Sequence, residues 1–177
     1  MSRKQRLSPD DWLKAGLDAL AAAGPEALKA EALARGLDTT KGSFYWHFPD
    51  VPAYRKALLD FWGDTAGAAL SEPEDKTEAV GQLHKLMQEG FSDSLPAEAA
   101  MRAWARTEPT AAATLAEIDA RRLAHLEKLL RQIGVTNPEI ARILYAAQIG
   151  STQLPVADTK KTNSAMGTLV DLVLALR

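Results

Sequence analysis

Residues 29–48 read KAEALARGLDTTKGSFYWHF, and this stretch decides the fold. Ala30, Leu33 and Ala34 fall on one face of a short helix. Gly36-Leu37-Asp38 then makes a tight turn, and a second short helix begins at Thr39 or Thr40. Two short helices joined by such a turn form a helix-turn-helix, a motif whose second helix enters the DNA major groove.

The side chains of that second helix suit the role. Thr39, Thr40, Lys41 and Ser43 offer small donors and one cation at its N-terminal end. Gly42 lets the backbone come close to a phosphate or a base edge. Tyr45, Trp46 and His47 follow as rings with polar tips, able to reach phosphate oxygens or pack on thymine methyls. Consecutive helical residues point in different directions, so these three cannot all be buried. Phe44 and Phe48 are expected to face inward.

Outward from this stretch the chain reads as helical throughout. Ala and Leu abound, and apolar residues recur at three- and four-residue spacing. Upstream, Ser8-Pro9-Asp10-Asp11 is a helix start, with Ser8 as N-cap and Asp11 reaching back to it. That helix carries Trp12, Leu13, Gly16, Leu17 and Leu20 inward and stops at Gly24-Pro25. Helices are expected next at about 27–35 and 39–46, then a fourth from an Asp50 cap to about Leu70. Beyond the linker SEPED, further helices are expected at about 75–91, 96–106, 109–133, 138–153 and 161–176. The fold class is therefore all-α with about nine helices. A helix-turn-helix head over 1–49 precedes a body over 50–177, with the helix at 50–70 connecting them.

Bulk properties narrow the classes further. The 177 residues contain no Cys, which excludes disulfides, thiolate metal sites and Cys nucleophiles. No apolar run approaches the roughly 20 residues of a membrane span, and MSRKQRLSPDD lacks a signal-peptide core. A cytoplasmic protein with no membrane partner is expected. Net charge is −2, but residues 1–56 carry nine Lys/Arg against seven Asp/Glu, and the remainder twelve against sixteen. There is no Gly-rich phosphate loop, no His-Glu-x-x-His and no Gly-x-Ser-x-Gly. His47, His84 and His125 stand far apart with no carboxylate at ligand spacing. No enzyme activity, metal or cofactor is expected.

In the body, polar or ring residues beside apolar stripes are candidates to line a small-molecule site: Trp62, Met87, Phe91, Trp104, His125, Tyr145 and Gln148. The last two helices look like an association surface. ARILYAAQIGS alternates bulk with small residues that permit close helix approach, and MGTLVDLVLALR is apolar on most sides. Leu144, Ala147, Ser151, Leu169, Leu172, Val173 and Leu176 are the candidate dimer contacts.

LARGLDTTKGSFYWHF, with a Gly-ended helix before it and a fourth helix after it, resembles the tetracycline-repressor (TetR) family of bacterial transcription regulators. The resemblance covers about residues 8–62, and KGSFYWHF is a close rendering of that family's recognition-helix signature. It implies that Thr39, Thr40, Lys41, Gly42 and Ser43 face base edges. Lys41, Tyr45 and His47 would hold phosphates, Trp46 would lie at the groove edge, and Lys29 would meet the backbone. It further implies a homodimer built by the last two helices, a double-stranded palindromic operator, and a ligand-responsive regulator, more often a repressor, answering an apolar small molecule. The chain departs from the pattern at three residues in two places. Asp38 stands where the turn usually has Gly, with Thr39 where an apolar residue is usual. Val51 stands where a phosphate-holding Lys is usual, which predicts weaker, less salt-dependent binding. Arg3, Lys4 and Arg6 would compensate as a basic arm. The alternative is a helical small-molecule-binding or interaction protein whose head has lost DNA affinity.

Overall fold

Ser8 opens helix α1 (Pro9–Ala23) with a complete capping box: its Oγ accepts from the Asp11 N–H, and the Asp11 carboxylate accepts from the Ser8 N–H at 2.8 Å. The structure, a computed structural model, describes residues 7–68, 70–91, 94–154 and 159–175. Arg3, Lys4, Arg6 and Leu176, all expected to take part in contacts, lie outside the described residues. Within them the chain forms helices and no strands. After α1 come α2 (Ala30–Gly36), α3 (Lys41–Tyr45), α4 (Val51–Ala68), α5 (Lys76–Glu89), α6 (Leu95–Trp104), α7 (Pro109–Ile133), α8 (Pro138–Ser151) and α9 (Thr159–Ala175).

Two of the expected boundaries need correction. The segment from Ala27 does not continue into α2. Pro25–Ala27 is a single 3₁₀ turn, Lys29 is extended, and α2 starts only at Ala30. The fully buried Leu28 anchors this break, and Lys29 serves as N-cap instead of a helical residue. Helix α3 is likewise shorter than its sequence pattern suggests. Asp38 adopts φ +48°, a left-handed turn that directs the Thr39 N–H to the Ala34 carbonyl at 2.9 Å and leaves Thr40 as the cap. The other helix starts follow their signals. Asp50, Asp75 and Asn137 each accept a backbone N–H of the helix that follows, at 2.7, 2.8 and 3.0 Å.

The chain divides into two compact units. One comprises Met1–Asp64 with Pro96–Leu115; the other comprises Thr65–Leu95 with Ala116–Arg177. Helices α4 and α7 therefore each contribute residues to both.

The first unit holds its short helices with aromatic rings. Phe44 is fully buried and meets Trp12, Phe48 and Tyr54 at centroid distances of 5.4, 5.4 and 5.1 Å. A five-residue helix cannot sustain itself in water. Packing of Phe44 and Phe48 against rings from α1 and α4 supplies what its length does not.

In the second unit α5 packs along α9, and α8 lies against α9. Its core combines Leu83, Met87, Leu126, Leu129, Leu130, Ile133, Leu144 and Val170, all essentially inaccessible to water. Gly167 of α9 faces Gln88 of α5, and a Cβ there would come within 2.7 Å of the Gln88 side-chain amide, which would have to turn aside.

Candidate functional site

The outer face of the helix-turn-helix is assembled from α2, its turn and α3. Thr40 accepts the Ser43 N–H at 3.3 Å and so presents the N-terminal end of α3 to solvent. Thr40, Lys41, Gly42, Tyr45 and Trp46 are exposed, while Thr39, Ser43 and His47 are half-buried. Phe44 and Phe48 face inward. Trp46 is 79% exposed and Tyr45 45%, the largest exposed rings in the head. Exposing such area forgoes on the order of 1.5–3 kcal/mol of burial per large side chain. Folding alone gives no reason for that arrangement.

Charges on this face are largely matched. The Lys41 ammonium forms an ion pair with Glu31 of α2 and lies 5.8 Å from the centre of the Tyr45 ring. Glu31 holds the Lys41 ammonium above its usual range, and Lys41 in turn holds the Glu31 carboxyl below its own. Lys29 is exposed and pairs with Glu26 at 3.1 Å. Val51 begins α4, in place of the lysine that is usual in the pattern. Arg55, one turn on, donates to the Pro25 carbonyl at 3.3 Å and is committed within the head.

Behind this face stands a residue that sequence reasoning missed. Tyr54 is fully buried, and its hydroxyl donates to the Trp12 carbonyl at 2.8 Å. Burial raises its phenol well above the ordinary range, so it remains a neutral donor. Its signal was available only in retrospect, as an aromatic one turn into a helix that must pack on α1.

The candidate small-molecule residues divide between the two units. Trp62 and Trp104 are buried in the first. The other five belong to the second, where a cleft of about 520 Å³ is lined by Leu86, Gly90, Phe91, Leu95, His125 and the polar chains of Glu78, Gln82, Lys85 and Glu89, with Ser71. Phe91 and His125 line the cleft; Met87 and Tyr145 are packed in the core beside it. Gln148 is buried, and its amide nitrogen would stand 3.2 Å from a Cβ at Gly90, a residue with φ +91°. Desolvation, then the charge of Lys128, lowers the His125 imidazole below its usual pKa.

A buried cation supports one wall of this cleft. Arg122 is 1% exposed, donates to the Phe91 carbonyl and the Tyr145 hydroxyl at 3.4 Å each, and packs 5.4 Å from the Phe91 ring centre. Tyr145 donates to Asp119 at 2.6 Å, and burial pushes its phenol up to about 12. Arg122 and Asp119 were not among the expected residues. In a run such as DARRLAHLEKLL, helical spacing alone does not say which arginine turns inward.

The candidate association residues also separate. Leu144 and Val173 point into the unit's own core, Leu169 and Ala147 are partly buried against it, and the Ser151 hydroxyl donates to the Gln148 carbonyl at 2.7 Å. Leu172 is 61% exposed, and on α8 the residue exposed beside this set is Ile143. Among the described residues there is no cluster of three or more His, Cys, Asp or Glu that could hold a metal. No described helix is long and apolar enough to cross a membrane.

The described residues form helices, with a helix-turn-helix, a motif of DNA-binding proteins, in the first unit and a polar and aromatic outer face on it. Residues 13–50 match the family described as bacterial regulatory proteins, tetR family. The whole chain is similar in fold to a transcriptional regulator from Rhodococcus sp. Rha1, at 20% identity and TM-score 0.74, over 96% of this chain and 97% of that one. A Rhodococcus sp. protein assigned to the TetR family of transcriptional regulators matches at 23% identity and TM-score 0.71, over 94% and 97%. A TetR transcriptional regulator from Agrobacterium tumefaciens matches at 18% and 0.63, over 95% and 92%. No protein of curated function matches the chain in sequence. The head thus matches the tetR family over residues 13–50, and the chain shares the fold of these regulators.

Proposed function

We propose that the protein is a DNA-binding transcription regulator that sits on a palindromic operator as a homodimer and acts as a repressor. One observation carries the reading. Thr40, Lys41 and Gly42 are exposed at the N-terminal end of α3 and Tyr45 and Trp46 at its C-terminal end, on a helix whose Phe44 is held from behind by Trp12, Phe48 and Tyr54. A rigid helix with solvent-facing donors and rings is what major-groove docking requires. Thr40, Lys41, Gly42 and Ser43 face base edges in this reading; Lys29, Tyr45 and His47 meet phosphates. Thr39, half-buried in the turn, supports the end of the helix.

Dimerisation follows from the same reading, because two half-sites one DNA turn apart need recognition helices about 34–36 Å apart. The exposed Ile143 and Leu172, on α8 and α9, support these helices as the contact between copies. The cleft beside Phe91 and His125 is the proposed effector site. Its mixture of Leu86, Phe91 and Leu95 with charged and amide side chains suits a molecule having both apolar and polar parts, in place of the wholly apolar one expected from sequence. Such a molecule lowers operator affinity only if it binds the DNA-free geometry more tightly. The proposed location is the cytoplasm.

A second reading, a helical binding protein with a disabled head, is favoured by one specific observation: Lys41 and Lys29 are both paired with carboxylates, and Val51 supplies no replacement. Selection of the purified protein against random duplex DNA at two salt concentrations separates the two. An enriched inverted repeat, weakened by salt and lost in Tyr45→Ala, supports the regulator. Absence of enrichment from a folded protein supports the second reading.

A further inference from the structure

The head's ion pairs fall in a pattern. Lys41 and Lys29, the two lysines of the recognition face, are each held by a carboxylate from the same short stretch, Glu31 and Glu26. We propose that Glu31, seconded by Glu26, acts as an electrostatic brake on DNA binding, occupying the cation that a phosphate would otherwise take. The inference rests on the DNA-binding reading above and adds a function for two acidic residues that the reading does not use.

Three observations support it. First, both pairs are solvent-exposed, with side-chain exposures of 51% and 57% for Lys41 and Glu31 and 59% and 83% for Lys29 and Glu26. Exposed pairs are held weakly and screened by salt, so a phosphate can displace the carboxylate. The carboxylate then remains beside the DNA backbone as a like charge, which reduces the net charge gained on binding. Second, Lys41 has another contact on the outer face, the Tyr45 ring, whose centre lies 5.8 Å from the same ammonium and which does not depend on Glu31. Third, among the described residues the cations at the start of α4 are engaged elsewhere: Arg55 is bound to the Pro25 carbonyl, Lys56 pairs with Asp60 at 2.7 Å, and position 51 is Val. The head therefore presents less effective positive charge than its lysine count suggests.

The test uses the full chain and a labelled duplex of random sequence, titrated by fluorescence anisotropy across a series of salt concentrations. Glu31→Gln is expected to tighten binding about two- to fivefold at low salt, with the gain shrinking as salt rises. The slope of log affinity against log salt should steepen by up to about one for that substitution. In a Lys41→Gln background the gain from Glu31→Gln should shrink to the part owed to the carboxylate's own repulsion of the DNA backbone, a dependence on Lys41 that a role of Glu31 in folding would not produce. Glu26→Gln is expected to act the same way through Lys29. If the parent binds duplex and Glu31→Gln binds equally or more weakly, with an unchanged melting temperature, the brake is overturned and the DNA-binding reading stands. If the folded parent and both variants bind no duplex even at low salt, the DNA-binding reading itself fails, and the brake fails with it.

Discussion

The Tyr54 hydroxyl rests directly above Gly16. It donates to the Trp12 carbonyl at 2.8 Å, and a Cβ added at Gly16 would come within 1.9 Å of the same oxygen. Helix α1 is thus locked to α4 at the one place where α1 has no side chain. This contact fixes the platform from which α3 projects. Gly16→Ala should cost about 2–3 kcal/mol, at the upper end of overpacking penalties, since backbone and phenol cannot both stay in place. Tyr54→Phe, which keeps the packing and removes only the hydrogen bond, should cost about 1 kcal/mol. Urea denaturation of both variants measures the two values, and a Gly16→Ala protein as stable as the parent would contradict the geometry.

At the turn, Asp38 holds φ +48° where a Cβ is unfavourable. Replacement by Ala should cost about 1 kcal/mol more than replacement by Gly, because Gly alone adopts this region without strain. Comparing the two variants with each other, by thermal melts, isolates the backbone term from whatever the Asp side chain contributes.

On the recognition face, Trp46→Ala and Tyr45→Ala should leave stability within about 0.5 kcal/mol of the parent, as expected for exposed positions. DNA affinity should fall by on the order of 1–3 kcal/mol for each, the range of one lost groove contact. Parental affinity in both variants would remove these residues from the interface. A large loss of stability would show instead that the rings serve the fold.

His125 carries a pH dependence whose sign can be worked out. Burial, then Lys128, lowers its folded pKa below the unfolded value of 6.5, and Glu72, itself ion-paired with Lys128, opposes this only weakly. The unfolded chain therefore binds the proton more readily. The stability due to the neutral imidazole is complete above about pH 6.5 and is lost as pH falls from there toward the folded pKa. A melting temperature that declines as pH falls below about 6.5, and declines less in His125→Gln, is the expected result. The depressed carboxyl groups of Asp11, Glu31 and Glu72 lose their contributions only in more acidic solution.

Association should depend on the exposed apolar residues of α8 and α9. Ile143→Asp and Leu172→Asp put a charge on positions that are 54% and 61% exposed in the single chain, so folding should survive. Sedimentation at micromolar concentration should then show a dimeric parent and monomeric variants. A change at Leu144 or Val173, by contrast, should lower stability by about 2–4 kcal/mol on truncation to Ala, because both face the chain's own core.

Much of the head was legible in advance. The capping box at Ser8 and Asp11, the cap at Asp50, the inward Phe44 and Phe48 and the exposed Tyr45 and Trp46 all follow from spacing. The start of α2 was not, because the break at Leu28 and Lys29 depends on Leu28 finding a buried site. In the body, periodicity identified the helices and their apolar stripes. It did not say which stripe faces the core. Leu144 and Leu172 look alike in sequence, yet one is fully buried and the other largely exposed.

Caps, turns and helical periods are interactions among residues a few positions apart, and chain connectivity brings those residues together in nearly any fold. For that reason the sequence by itself determined the helical class, the order of the helices and the helix-turn-helix segment. The pairing of Lys41 with Glu31, the seat of Tyr54 over Gly16 and the burial of Arg122 beneath Phe91 and Tyr145 join residues 10 to 38 positions apart. Contacts of that kind depend on how helices cross and which face each turns inward, and only the tertiary structure decided them.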